Sequence, residues 1–381
     1  MKISNCWNDH FWHGIMISII VFSISLASLS RVFAVETGNI VVDSLGRHVI
    51  IPDTVERIGC MYAFTGHVVA MLGQADKIVA VSNGLKRDVL LADMFPAIQR
   101  AVVPKFQGAV NIEELTGAKP DIVFIQAETG QDSAMADKMN ACGLTWITVD
   151  FHNMAQQLEV IEMIGKVIGA TEKADEYNRY YIRCIEQVQN RIETEIPARS
   201  RLRVYHSTVE PNRTSLKNSL SSDWINASGL INVTSQESDG LFNGNDQAGM
   251  EQILLWNPDI ILANEPGVAD VIRKNPQWSP VTAVKNDRVY QLPIGISRWG
   301  HPGSLETPLA IFWTAKTVYP EKFRHIDMQE EVRNFYKLFF NYELSDNMIA
   351  QILSGKGMRL KKSGEKKKNK KGQEDGRSDM Y

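Results

Sequence analysis

Apolar and polar positions along this chain change period several times, and each change marks an element. Residues 39–52, NIVVDSLGRHVIIP, alternate around a Gly-containing turn and predict a β-hairpin. Short apolar runs then alternate with helical spacings. Strands are expected over 57–61, 77–82, 121–126 and 145–149, and helices over 66–72, 112–117 and 133–142. This is the βαβ rhythm of a parallel sheet covered on both faces. From about Met154 the period becomes helical, with Leu158, Ile161, Ile164 and Ile168, then Ala174, Tyr177, Tyr181, Ile185 and Val188 after Gly169. The second stretch, 171 to about 195, predicts one helix roughly 36 Å long at 1.5 Å per residue. Thr171 is its expected N-cap and Pro197 its stop. The strand and helix alternation then restarts over 202–207, 222–227, 270–275 and 288–292, and helices over 305–318 and 328–353 close the chain. The expected class is α/β, in two lobes joined by a rigid helical strut.

One phrase occurs in both halves. NIEELTGAKPDIVFI at 111–125 and GMEQILLWNPDIILA at 249–263 align at an offset of 138. Glu113 then pairs with Glu251, Leu115 with Ile253, Pro120 with Pro258, Asp121 with Asp259 and Ile122 with Ile260. Each copy reads as a helical turn opened by a glutamate, a Pro-Asp break and a buried strand. Two matched glutamates, one per half, imply a two-point contact with something larger. Each also places an acid in the first turn of a helix, which the helix dipole favours on its own.

Charge refines the picture. The 381 residues carry a net −3, with no bias that calls for nucleic acid. The segment 356–381 carries +6 and the rest −9, so the Lys-rich end is a separate, aperiodic tail. At the other end, 15–29 is apolar and Val32-Phe33-Ala34 offers small residues for cleavage. That run is shorter than the ~20 residues a membrane span needs, and it reads as a secretory signal. The expected organisation is 1–34 signal peptide, 35–153 N-terminal lobe, 154–196 helical linker with the strut, 197–354 C-terminal lobe and 355–381 disordered basic tail. Removal of the signal takes Cys6 with it and leaves Cys60, Cys142 and Cys184. Three dispersed cysteines are no disulfide framework. The G-x-S-x-G, P-loop and H-E-x-x-H signatures are all missing from the sequence, which favours a binder over a catalyst.

Several phrases, in order, resemble class III (cluster A) solute-binding proteins of ABC importers. They are V-x-D-S-L-G-R-x-V-x-I-P with E-R-I at 56–58, N-I-E-x-L-x4-P-D-I-V at 111–123, and W-I-N-A-S-G-L-I-N-V at 224–233. M-E-Q-I-L-x3-P-D-I-I at 250–261 and G-S-L-E-T-P-L-A-I-F-W-T-A-K at 303–316 complete the set. The resemblance spans about 39–340. It implies two Rossmann-like lobes joined by one long helix, a ligand cleft between them, and limited opening. It implies a periplasmic monomer with no cofactor of its own, docking on a dimeric ABC permease through Glu113 and Glu251. The expected cargo is an iron chelate: a siderophore, haem or a corrinoid. A small metal species or oxyanion, such as nickel or molybdate, is the alternative, and a secreted enzyme or chelatase on the same scaffold is the third reading.

Ligands of parallel α/β sheets lie beyond the carboxyl ends of the strands. Those ends fall at 60–65, 82–87, 126–129, 150–152, 206–213, 264–267 and 293–301. Tyr62, Phe64, Phe106, Phe242 and Trp299 are the candidate aromatic walls, and Arg87, Arg213 and Arg298 the candidate partners for anionic oxygens. Tyr62, Arg87, Arg213, Trp299 and His301 are the leading ligand contacts. His206 and His301 are the candidate metal ligands, because neutral imidazole is the commonest metal-binding side chain. His67 and His152 are weaker candidates, His67 because it falls inside a short helix.

Overall fold

The computed structural model describes residues 39–106, 109–235 and 246–356. The signal-like segment, Phe242 and the basic tail beyond Lys356 lie outside them. Strands β1 (Ile40–Val42) and β2 (His48–Ile50) form the expected hairpin. Its turn needs Gly46, which adopts φ 76°. The D-S-L-G-R phrase works as a clamp. Asp43 accepts from the backbone N–H of Leu45 and Arg47, from the Arg47 guanidinium, and from Thr148 of the sheet.

The N-terminal lobe is built on β3 (Ile58–Cys60), β4 (Ile78–Ser82), β5 (Val102–Phe106), β6 (Ala109–Val110), β7 (Ile122–Gln126) and β8 (Trp146–Val149). Their spatial order is β6-β5-β4-β3-β7-β8, parallel except for the β5–β6 pair. The C-terminal lobe holds β9 (Arg203–Ser207), β10 (Ile231–Asn232), β11 (Ile260–Ala263) and β12 (Val289–Gln291) in the order β10-β9-β11-β12, all parallel. In each sheet the chain lays strands on one side of its first strand and then returns to the other. The order therefore reverses between β3 and β7, and again between β9 and β11. Such switch points open a crevice at the carboxyl ends of the strands.

The doubled phrase is doubled in three dimensions. Helix Ile112–Gly117 leads into β7 and helix Met250–Trp256 into β11. Lys119 and Asn257, 138 apart, both adopt left-handed backbone, φ 49° and 41°, just before the proline. Asp121 Oδ2 accepts the N–H of Glu56 and Arg57, and Asp259 Oδ2 accepts the N–H of Arg203. The Arg57 and Arg203 side chains turn back onto the carbonyls that end the preceding helix, Ala118 and Trp256. Each Pro-Asp is thus a joint that fixes the lobe's first strand to its doubled helix. The paired Leu115 and Ile253 are both fully buried, each in its own lobe's outer core.

The strut runs from Thr171 to Glu195 and buries Ala174, Tyr177, Tyr181, Cys184, Val188 and Ile192 along one face. It begins one residue earlier than Thr171 capping requires: Gly169 at φ 71° makes a left-handed turn, and Ala170 takes the cap position while donating to Gly165 O. One apolar cluster surrounds the strut and continues into both lobes. The expected helix over 328–353 is two helices, Met328–Phe340 and Asp346–Leu353, because Asn341 adopts φ 49° and ends the first. The first packs back on the N-terminal lobe, with Phe340 6.4 Å from Phe95 and the Tyr342 hydroxyl donating to Asp93. Cys60, Cys142 and Cys184 are all free thiols. Among the described residues no helix is long and apolar enough to cross a membrane.

Candidate functional site

The N-terminal wall of the cleft is made by the residues that follow β3, β7 and β8. A cavity of about 180 Å³ is lined by Tyr62, Gln126, Ala127, Glu128, Gln131, Val149, Asp150, Phe151 and His152. Tyr62 is the cap of helix Ala63–Met71 and packs on Phe64 and Phe151, at 5.8 and 6.5 Å between ring centres. Burial, and then the Asp150 and Glu128 carboxylates, push its hydroxyl pKa well up. The wall therefore carries a negative field. His152 Nε2 stands 3.3 Å from Asp150 Oδ2. Lys105 donates to Gln126 Oε1 at 2.8 Å, and burial lowers its pKa while Glu128 opposes.

The C-terminal wall is a loop, 293–306, between β12 and helix Thr307–Val318. Arg298 pairs with Glu265, which follows β11. His301 Nδ1 accepts from Gly303 N–H at 3.2 Å. The two walls meet at Gly303: a Cβ there would stand 3.1 Å from the Tyr62 hydroxyl, so a larger residue would displace the tyrosine.

The structure brings Tyr62 to this meeting, with His301 two residues from Gly303, while Arg298 is turned to Glu265. Arg87 sits in the turn Leu85–Arg87 beyond β4, and Arg213 is exposed in the turn after β9. Trp299 is no wall. It is fully buried, and its carbonyl accepts from Asn264 Nδ2 at 2.7 Å. Phe64 is likewise core. Phe106 lies in β5, but its side chain falls outside the description, as does Phe242.

His206 is also corrected. It is fully buried on β9, with Nδ1 3.2 Å from Ser215 Oγ and its ring edge-on to Trp224. Burial and the Arg298 charge lower its pKa to about 3, so the imidazole is neutral. It supports the loop from beneath, through Trp224, which donates to Gly300 O at 2.9 Å. His67 is a buried partner of Asp88 at 2.7 Å. Among the described residues no three His, Cys, Asp or Glu side chains gather as a ready metal site.

The residues missed individually are acids and amides: Glu128, Asp150, Glu265, Gln126 and Gln131. Glu128, Asp150 and Glu265 lie within two residues of the ends of β7, β8 and β11, Gln126 ends β7, and Gln131 closes the short helix after it.

Two α/β lobes, one strut and a cleft at the two switch points define a two-lobed solute receptor. Residues 58–294 match the periplasmic binding protein family, and the chain belongs to it. It is the binding component of an ABC transporter, a class whose members work with a membrane permease. The molybdate-binding protein MolA of Haemophilus influenzae is 24% identical over 337 residues, covering 83% of this chain and 94% of that protein. Its molybdate-bound structure has the same fold, with a TM-score of 0.71 at 22% identity over 81% of this chain and 99% of that one. A periplasmic solute binding protein of Veillonella parvula has a TM-score of 0.70 at 24% identity, covering 83% and 96%. Helicobacter pylori CeuE with Ni(II) bound has a TM-score of 0.68 at 22% identity, covering 83% and 99%.

Proposed function

We propose that this protein is the periplasmic receptor of an ABC importer for a small metal-containing solute, and that it carries out no chemistry on its cargo. The observation that carries this reading is the cavity under Tyr62. It holds about 180 Å³ and shares Asp150 and His152 with a larger hollow of about 580 Å³, so the lining rather than the volume carries the reading. Its lining is polar and acidic, with only Tyr62 and Phe151 aromatic. A bulky iron chelate, the cargo the sequence favours first, would need the walls that Trp299 and Phe64 do not supply. The Asp150 and Glu128 carboxylates favour a cation over an oxyanion. Among the described residues no three ligands gather, so the metal is read as arriving with small ligands of its own, and Asp150 and His152 as completing its shell. MolA with molybdate and CeuE with Ni(II) make small cargo familiar on this fold.

Titration calorimetry of the protein tests this with three probes: Ni²⁺ with L-histidine, molybdate and a ferric catecholate chelate. Binding of the nickel complex alone is the expected result. Tight binding of the ferric chelate overturns the reading, and molybdate binding replaces the cation by an oxyanion.

Delivery is assigned to Glu113 and Glu251. Both are exposed in the first turn of the doubled helices. A helix that feeds a parallel strand starts on the side of the strands' carboxyl ends, so both acids belong on the cleft side, where arginines of a permease dimer can meet them. Reversing both to Lys should abolish uptake in cells and leave solute affinity intact. Loss of affinity would refute the docking role.

A further inference from the structure

We propose that Glu306 is the positioning residue of the cleft: its carboxyl ties the two ends of the 295–306 loop together and thereby sets where Arg298 and His301 stand. This rests on the cleft being the solute site. Glu306 is fully buried, and no Lys, Arg or His pairs with it among the described residues. Its Oε2 accepts from Ser297 N–H and Ser297 Oγ, both at 2.8 Å, at the start of the loop. Ser297 Oγ meets Ser304 Oγ at 2.9 Å, and Ser304 Oγ accepts the Glu306 N–H at 3.0 Å, at the end of the loop. Oε1 accepts from the Tyr336 hydroxyl, which also accepts the Ile296 N–H at 3.0 Å. Gly295 passes so close that a Cβ there would overlap the carboxyl, at 1.8 Å from Oε1.

Both ends of the loop are thus gathered on one side chain, and the six residues between Ser297 and Ser304 form the tip of the C-terminal wall. The exit of the loop is fixed to the helices between the lobes. Gln157 donates to Ser304 O at 3.0 Å, and the Tyr177 hydroxyl donates to Leu305 O. The tip abuts Tyr62 of the opposite wall through Gly303. The clamp therefore lies on the continuous path from cleft to strut. A residue kept only to fill this space would do better as an apolar one, since a buried carboxyl without a cation is costly. Burial pushes the Glu306 carboxyl up from its ordinary value, and the bonds from Tyr336 and Ser297 oppose it. A neutral amide of the same shape is then a fair substitute.

The test is hydrogen exchange, which needs no ligand. Glu306→Ala should speed exchange of the Ile296, Ser297, His301 and Ser304 amides by about tenfold or more, while β7 and β11 keep wild-type protection. Glu306→Gln should restore most of the protection. Unchanged exchange in Glu306→Ala, or faster exchange throughout the protein, overturns the positioning role. Should the alanine variant fail to fold, Glu306→Asp, one methylene shorter, should show the same local loosening, and its absence overturns the proposal equally. Affinity for the Ni²⁺–histidine probe is measured in parallel. Wild-type protein that ignores this probe refutes the cargo assignment, while the exchange result still decides the clamp.

Discussion

The two lobes are alike where they are built and different where they work. Both hang a first strand on a Pro-Asp joint, with Asp121 and Asp259 accepting the same class of backbone N–H and a left-handed residue just before. At the cleft they part. The N-terminal wall is made directly by residues leaving the strands, and Glu128, Asp150 and His152 remain exposed. The C-terminal wall is a long loop held from below by buried groups: Trp299, His206, Trp224 and Glu306. One wall exposes two acids and a histidine, and the other rests on its own core. The doubled helices differ too. Thr116 and Gly117 on the first correspond to Leu254 and Leu255 on the second, which are 39% and 78% exposed.

The largest expected effect separates the two walls. Trp299→Ala should cost about 3–5 kcal/mol in urea unfolding, as buried aromatic truncations do. Tyr62→Ala should cost about 1 kcal/mol and yet lower solute affinity by about tenfold or more. Equal stability losses at both positions would erase the distinction.

The next effect is in acid. His206 is neutral in the fold, with a pKa near 3, against an ordinary value of ~6.5. The unfolded chain binds the extra proton first, so this group's stabilising effect is whole above about pH 6.5 and is lost as pH falls toward 3. The slope is at most about 1.4 kcal/mol per pH unit. Glu306, raised by burial, contributes in the opposite sense: its effect favours the fold below the ordinary Glu value and fades as pH rises through the raised one. His206→Asn should flatten the acid limb of a stability-against-pH curve. An unchanged limb would mean that His206 is not buried neutral.

The smallest effect tests the repeat. A left-handed L residue costs roughly 1–2 kcal/mol, so Lys119→Gly should stabilise by up to about 1 kcal/mol. Asn257→Gly should not, because Asn257 Oδ1 also accepts the Thr282 N–H at 2.8 Å. A thermal-melt difference between the two variants, of opposite sign, is the expected outcome.

The strands, the strut and the doubled joint were legible because each imposes a period or a fixed spacing on many residues. The break at Asn341 was not, since one left-handed residue inside an amphipathic run leaves the 3.6-residue pattern nearly intact. Trp299 was misread for a related reason. Its neighbours, SRWGHPGS, have the polar and Gly/Pro-rich look of a surface loop, but Asn264, Trp224 and Glu306 fold that loop over a core. Those three come from sequence positions 35, 75 and 7 residues away, and no local pattern links them. The cleft acids were legible only by position: Glu128 and Asp150 follow strand ends, but single polar residues there look like many solvated loop residues.

Native mass spectrometry with absorbance spectroscopy, on protein purified from its own host, decides what the receptor carries. A small metal-containing mass increment and no strong visible chromophore are expected. A Soret band, or the broad charge-transfer band of a ferric siderophore with the matching large increment, would contradict it.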